Sequence, residues 1–227
     1  AANIKQDKRN HPIHASRGHK WEISTKIGIP SFQGTRSLIK IADNFFDTAR
    51  PETEQVLNTL YAADSSKIGY AKFFMDYTWY NPIIGEQDLV FKLHMFFGLA
   101  SPIKQNAVPF NELFHIGGDT TVRGFSYGQI GPKFLGDTIG GKKAFFMNAE
   151  LVFPITQDFS LKGLVFYDGG AGWDNPYAQC ANPAFISDNN FNYRHAVGCG
   201  IRMLRPMPVS VDWGVKLDPR PDANESQ

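Results

Sequence analysis

The chain contains 227 residues, of which 42% are hydrophobic, 14% aromatic and 20% charged, and its formal net charge is +1. This length suits a single closed all-β domain, and the apolar fraction excludes a wholly disordered chain. The near-zero net charge offers no basic surface for nucleic acid, and the sequence lacks the run of about 18 apolar residues that a transmembrane helix requires.

Alternation of apolar and polar residues predicts an antiparallel all-β fold with seven strands. In the clearest segment, every second residue from Leu89 to Phe97 is apolar, whereas charge falls only on the residues between them. The segment from Ile4 to Arg9 could be the end of an eighth strand. The seven predicted strands are Trp21–Ile29, Gly69–Tyr80, Asp88–Gly98, Lys143–Phe153, Leu161–Ala171, Tyr193–Leu204 and Val209–Leu217.

The links between these strands alternate between short and long. Short turns are predicted at Asn81-Pro82, at Pro154 and at Pro206-Met207-Pro208. Residues 52–63, within one long link, could form a short helix. Links longer than about 15 residues are uncommon in soluble domains, whereas transmembrane barrels carry short turns on one side and long loops on the other. We therefore predict one partial outer-membrane β-barrel domain over residues 1–227, with long external loops at about 30–68, 100–142 and 172–192.

No motif of the sequence supports an enzyme. The segment 136–143 approaches a phosphate-binding loop, but Lys143 stands where a Ser or Thr would bind magnesium, and a strand follows instead of a helix. The histidines have no metal-ligand spacing, and no Gly-x-Ser-x-Gly elbow is present. We expect no catalytic residue, no metal site and no cofactor. Cys180 and Cys199 could form a disulfide in an oxidising envelope or remain two thiols.

The most informative motif lies within the 100–142 link, although its Val, Phe and paired Gly are unlike a solvated loop tip. It comprises Gly117, Gly118, Val122, Arg123, Gly124 and Phe125. These residues resemble the outer-membrane β-barrel assembly superfamily, whose bacterial member is BamA. In that family a long external loop carries a Val-Arg-Gly-Phe type motif and folds back inside the barrel.

Other motifs extend the resemblance over residues 9–218. They are the strand end Ala149–Pro154, the Phe-x-Asp-x-Gly pattern at Phe166–Gly170, the turn Arg9–Gly18, and Gly198–Arg202 followed by Pro206. The resemblance implies the C-terminal portion, about seven or eight strands, of a sixteen-stranded transmembrane barrel. The final strand of the family is not recognised after Asp218, so we expect a piece of the barrel that is truncated at both ends.

Alternation supplies partners for the motif arginine. It places Glu150 and Asp168 on the polar, lumen-facing side of adjacent strands, where Arg123 could form charge-assisted hydrogen bonds with both. An unpaired buried charge costs several kcal/mol, so an arginine on an inserted loop needs such partners. Gly124 would allow a close backbone approach, and Phe125 could wedge the loop against the wall.

The resemblance implies a non-enzymatic outer-membrane assembly factor, an insertase for β-barrel proteins in a Gram-negative bacterium. Its implied partners are membrane lipids, unfolded outer-membrane β-barrel clients and the accessory lipoproteins of an assembly complex, and nucleic acid is not among them. Two alternatives share the arginine motif: a two-partner secretion translocase and an organelle outer-membrane homologue. Glu150 beside Asp168 favours the assembly branch over the translocase. A plain porin or adhesin has no reason to carry the motif.

Overall fold

The computed structural model describes residues 1–12, 14–28, 69–85, 88–103, 108–134, 137–156, 161–176, 186–187, 189–203 and 207–219. Within these ranges the chain forms one eight-stranded antiparallel sheet and one small three-stranded sheet. In the described part of the chain, no helix has the length and hydropathy of a membrane span. The predicted link at 30–68 and the predicted helix at 52–63 lie outside the described residues.

The large sheet contains all seven predicted strands and the eighth, so the predicted all-β fold is confirmed. Its strand order is β1-β2-β3-β4-β7-β8-β10-β11, and each strand is antiparallel to its neighbours. The small sheet has the order β6-β5-β9. The strands are β1 Ala2–Asp7, β2 Gly18–Gly28, β3 Tyr70–Ile84, β4 Leu89–Pro102, β5 Lys133–Phe134, β6 Asp137–Thr138, β7 Lys143–Pro154, β8 Leu161–Trp173, β9 Ile186–Ser187, β10 Arg194–Met203 and β11 Val209–Lys216.

The predicted turn at Asn81-Pro82 is wrong, because β3 continues through both residues to Ile84. Proline has no N–H to donate and is tolerated where a strand has a neighbour on one side only. Pairing of β3 with β2 ends at Tyr80, so Pro82 faces only β4, where it lies opposite Val90. The chain turns after β3 at Gly85, whose φ of +56° is the left-handed conformation that glycine adopts without strain.

The two faces of the large sheet differ in chemistry. Directly opposed residues share a face, and Leu93 on β4 lies opposite Trp79 on β3 and Ala149 on β7, so these three define an outer, apolar face. Large exposed hydrophobic side chains continue this face across the sheet. They include Met75, Phe97, Val165, Val197, Ile201, Val211 and Trp213. An exposed apolar surface of this extent is typical of contact with lipid or another protein.

Leu93 tests whether this face meets lipid. We expect Leu93→Arg to destabilise the barrel by about 2–4 kcal/mol, the cost of a cation at the middle of the lipid-facing band. The free energy of unfolding of the intact protein in lipid vesicles measures this cost. Ser24→Arg is the matched control, because Ser24 lies opposite Phe74 on the other face of the sheet. Equal losses in both variants would show that the outer face is assigned wrongly.

The segment between β4 and β7, called here the inserted loop, covers the inner face of the sheet. Backbone bridges join Phe114 to Gly141 and Ile116 to Ile130, so the loop folds on itself before it reaches β7. The main buried apolar cluster lies between this loop and the strands. Its members are Tyr70, Ala100, Val108, Leu113, Phe114, Ile116, Val122, Phe125, Ile130, Ala144, Phe146 and Ala196. The predicted link at 100–142 therefore contributes much of the core, and it begins slightly later than expected because β4 extends to Pro102.

Two further sequence features can be placed. The glycines before Lys143 form a turn that leads into β7, with Gly140 at φ +81°, so the resemblance to a phosphate-binding loop has no helix to support it. Cys199 is a free, exposed thiol on the outer face of β10. Cys180 lies outside the described residues.

Candidate functional site

The backbone of the motif forms a tight turn that presents Arg123 to the strands. Gly117 and Gly118 have φ values of +115° and +102°, which glycine adopts readily. The Gly118 N–H donates to the Val122 carbonyl at 3.2 Å, and the Gly117 N–H donates to Thr121 Oγ1 at 2.8 Å. Val122 is completely buried against the sheet. The turn therefore fixes the direction in which the next side chain, that of Arg123, leaves the loop.

Asp168 on β8 is the principal partner of Arg123. The Arg123 Nε donates to Asp168 Oδ2 at 2.6 Å, and Nη2 donates to Oδ1 at 2.9 Å. The backbone N–H of Arg123 adds a third hydrogen bond to Oδ2 at 3.1 Å. Asp168 has 0% exposure and Arg123 has 6%. This is a bidentate, fully desolvated pair with an extra backbone bond, a geometry that lysine cannot reproduce.

Two more carboxylates complete the environment of the guanidinium. Nη2 lies 2.8 Å from Glu150 Oε1, and Nη1 donates to Asp212 Oδ2 at 2.9 Å. The structure thus brings Arg123 together with Asp168 and Glu150, as the strand alternation suggested. Asp212 was not among the predicted partners, although it occupies one of the polar alternate positions of β11 and could have been found there.

Glu150 is shared among three cations. Besides Arg123, it accepts hydrogen bonds from Lys92 on β4 at 3.1 Å and from Arg202 on β10 at 3.0 Å. Burial alone would lower the pKa of Arg123. The hydrogen bonds and charges of Asp168 and Glu150 outweigh this effect, so the pKa of Arg123 lies above its ordinary value. The arginine is therefore charged at every physiological pH.

Aromatic rings enclose the same group of residues. The Arg123 guanidinium carbon lies 3.6 Å from the centroid of Phe166, two residues before Asp168 on the same face of β8. Such cation–π contacts strengthen when water is excluded. Phe125 is buried, and the cations of Arg194 and Lys216 lie 5.1 and 5.2 Å from its ring centroid. Phe125 thus packs on the wall beside β10 and β11, as expected for a residue that wedges the loop against the wall.

Gly124 brings the loop backbone against β11. Its φ is +85°, and a Cβ on Gly214 of β11 would lie 3.0 Å from the Gly124 nitrogen. A side chain on Gly124 would itself approach the Ala196 Cβ to 3.3 Å. The paired glycines allow a backbone-to-backbone approach that holds the loop at the depth where Arg123 meets its partners.

We expect Gly124→Ala to destabilise the protein by about 1–2 kcal/mol, since an L-residue is strained in this left-handed conformation. Thermal unfolding of the intact protein in detergent micelles measures the loss. Gly69→Ala is the matched control, because its φ is not left-handed and a Cβ there would make only an ordinary contact, 3.5 Å from Ile103 Cβ. An unchanged melting temperature for Gly124→Ala would contradict the close approach.

A polar cavity of about 450 Å³ adjoins the arginine. Its lining includes Lys92, His94, Asn148, Arg202 and Asp212. Asn148 also donates to the Thr121 carbonyl at 2.6 Å, which attaches the motif turn to β7. Among the described residues, no group of three or more His, Cys, Asp or Glu side chains could hold a metal ion. The contacts of Arg123 form an ion-pair network that attaches the inserted loop to the strands.

Comparisons with known proteins agree with this architecture. The model of the Omp85 superfamily domain matches residues 1–227. The outer membrane protein assembly factor BamA of Nitratidesulfovibrio vulgaris is 30% identical over 124 residues, which are 53% of this chain and 15% of that protein. BamA of Neisseria meningitidis serogroup B is 31% identical over 127 residues, covering 52% and 16%. The matched part of the chain thus covers only about a sixth of the length of these curated relatives.

A solved structure matches nearly the whole chain. The crystal structure of BamA from Haemophilus ducreyi lacking POTRA domains 1–3 superimposes with a TM-score of 0.74, covering 96% of this chain and 38% of that one. At 19% sequence identity, this likeness establishes the fold as that of part of a BamA barrel. The family match extends over every residue of the sequence. The chain therefore belongs to the Omp85 superfamily.

Proposed function

We propose that this chain is the C-terminal part of the barrel of an outer-membrane assembly factor, which folds β-barrel proteins and inserts them into the outer membrane of a Gram-negative bacterium. Its family and the assembly-factor names of its curated relatives support this function. The observation that carries the proposal is the buried Arg123 network. A loop that returns from the strand ends and is attached to the wall by three carboxylates is a device for ordering the inner face.

The proposed mechanism needs no catalytic group. Unpaired N–H and C=O groups on the edge of a sheet can template an incoming strand, and a client barrel gains its own strand pairing and apolar burial as it forms. The role of this part of the chain is to stay rigid while an edge elsewhere in the barrel pairs with the client. The inserted loop contributes by joining β7, β8 and β11 through a single guanidinium.

The proposed partners follow from the two faces of the sheet. The outer face meets membrane lipids, because it is apolar and exposed across the sheet. Unfolded β-barrel proteins are the clients, and accessory lipoproteins of an assembly complex are further partners. The proposed function uses no cofactor, no metal and no nucleic acid.

Reconstitution tests the proposal. The intact protein in lipid vesicles should accelerate the folding of an unfolded β-barrel client, followed by the heat-modifiable shift of the client on gels, and should do so without any nucleotide. Empty vesicles and vesicles with an unrelated porin are the controls. No acceleration over the porin control would overturn the proposal. Passage of a secreted substrate through the vesicle wall without client insertion would identify a two-partner secretion translocase instead.

A further inference from the structure

A second polar cluster attaches the inserted loop to the opposite part of the sheet. The short 3-10 turn Phe110–Glu112 lies against β2 and β3. Glu112 Oε1 accepts hydrogen bonds from Lys26 of β2 and, at 2.8 Å, from the Tyr70 hydroxyl of β3. Lys72 of β3 donates to the Glu112 carbonyl at 2.9 Å and lies 3.4 Å from its Oε2. The Glu112 side chain is only 13% exposed, so these contacts are partly shielded from water.

Aromatic rings reinforce this cluster. The Lys72 ammonium lies 4.5 Å from the centroid of Phe114, two residues after Glu112. Phe114 is buried and packs on Gly98 of β4, where a Cβ would lie 2.6 Å from the ring. Phe96 stacks edge-on against Phe114 with 5.8 Å between centroids. Lys72 therefore contacts the loop through a carboxylate, a backbone carbonyl and a ring, which a loose surface ion pair would not do.

The contacts of Glu112 and those of Arg123 lie at different positions along the length of β4. Lys72 is opposite Ala100, close to the end of β4 from which the loop departs, whereas Glu150 is opposite Lys92. Eight residues of β4 (100 − 92) separate these levels, or about 26 Å at roughly 3.3 Å per residue. The attachments also use different strands: β2 and β3 for Glu112, but β7, β8 and β11 for Arg123.

We propose that Glu112 is a positioning residue, which with Lys26, Tyr70 and Lys72 forms a second fastening point of the inserted loop and sets how Arg123 meets its carboxylates. A segment held at one point can pivot about it, whereas a second point on other strands removes that freedom. Two lysines of the sheet face one carboxylate of the loop here, so loss of Glu112 removes the attraction that holds the loop base against β2 and β3, and a lysine at this position would add repulsion. This inference rests on the proposed function only for its effect on assembly.

Charge reversal with a measured distance tests the fastening point. Spin labels at Ser126 on the loop and Ser101 on β4, both exposed, report the loop position in the intact protein in lipid, with Cys180 and Cys199 replaced by serine. We expect a narrow distance distribution in the parent protein and its loss in Glu112→Lys. Adding Lys72→Glu should recover part of the narrow distribution, because it restores an opposite-charge pair. A purely steric role of Glu112 would not respond to Lys72→Glu.

Asp137→Lys is the matched control, since Asp137 is an exposed carboxylate of the same loop away from the cluster. Glu112→Gln serves if the reversed variant fails to fold, and it should broaden the distribution less. An unchanged distribution in both Glu112 variants would overturn the fastening point. That result leaves the proposed function standing, because the distance is measured without a client. Failure of the parent protein to accelerate client folding, by contrast, would overturn the proposed function and leave the Glu112 contacts untouched.

Discussion

Replacing Arg123 by alanine should destabilise the intact protein by about 3–5 kcal/mol, the range for removing one partner of a buried ion pair. The variant leaves Asp168 and Glu150 buried at 0% and 3% exposure without their shared cation. The free-energy cost is larger at Asp168, because Glu150 keeps its ion pairs with Lys92 and Arg202. Chemical unfolding in lipid measures the loss of stability, and proteolysis of the inserted loop should become faster. Client folding should slow in the same variant if the loop has the proposed role.

Arg123→Lys separates charge from geometry. Lysine keeps the positive charge but cannot donate two parallel hydrogen bonds to Asp168 while also reaching Asp212. We expect a substantial part of the alanine effect to remain. Arg17→Lys is the control, because Arg17 is exposed in the turn between β1 and β2. If Arg123→Lys were as stable as the parent protein, only the positive charge would matter, and the two parallel hydrogen bonds of the guanidinium to Asp168 would contribute nothing.

The three carboxylates around Arg123 should contribute very unequally. Asp168→Ala should cost about 3–5 kcal/mol, since it removes three hydrogen bonds from a buried guanidinium and backbone N–H. Asp212→Ala should cost under about 1 kcal/mol, because the Asp212 side chain is 20% exposed and water can replace it. The same unfolding measurement ranks the two variants. Equal losses would mean that burial does not govern this network.

A double-mutant cycle between Arg123 and Asp168 gives the pairwise part of this energy. The coupling should exceed that between Arg123 and Asp212, and it should change little with salt because the first pair is buried. A coupling that disappears in high salt would contradict the desolvated geometry.

The strands were predictable because a half-buried sheet imposes a period of two on the sequence. Leu89–Phe97 shows this period without interruption, and it forms most of β4. The boundary after Tyr80 was not predictable from the proline alone, because proline is excluded from a strand only where its missing N–H would face a neighbour. Whether β2 extended that far depends on register, which no local pattern encodes.

Some residues of the site could also be located from the sequence, whereas others depend on the folded structure. Glu150 and Asp168 lie on neighbouring strands, so alternation was enough to place their side chains on one face. Alternation also places Asp212 on the polar face of β11, but its contact with Arg123, 89 residues away along the chain, depends on how β11 lies beside β10. The Glu112 cluster gave no signal, since a single glutamate in a long link is usually solvated. Only the folded loop brings two lysines and a tyrosine to it.

The three cations that contact Glu150 restrict how this position can change in evolution. A substitution at this position withdraws a partner from Lys92, Arg123 and Arg202 at once, on β4, the inserted loop and β10. Arg123 would still have Asp168, but Lys92 and Arg202 would both lose the buried carboxylate that they share. We therefore expect a lineage that loses this glutamate to change positions 92 and 202 as well. Positions 92, 150 and 202 should therefore vary together among homologues, and replacements of Glu150 alone should be rare.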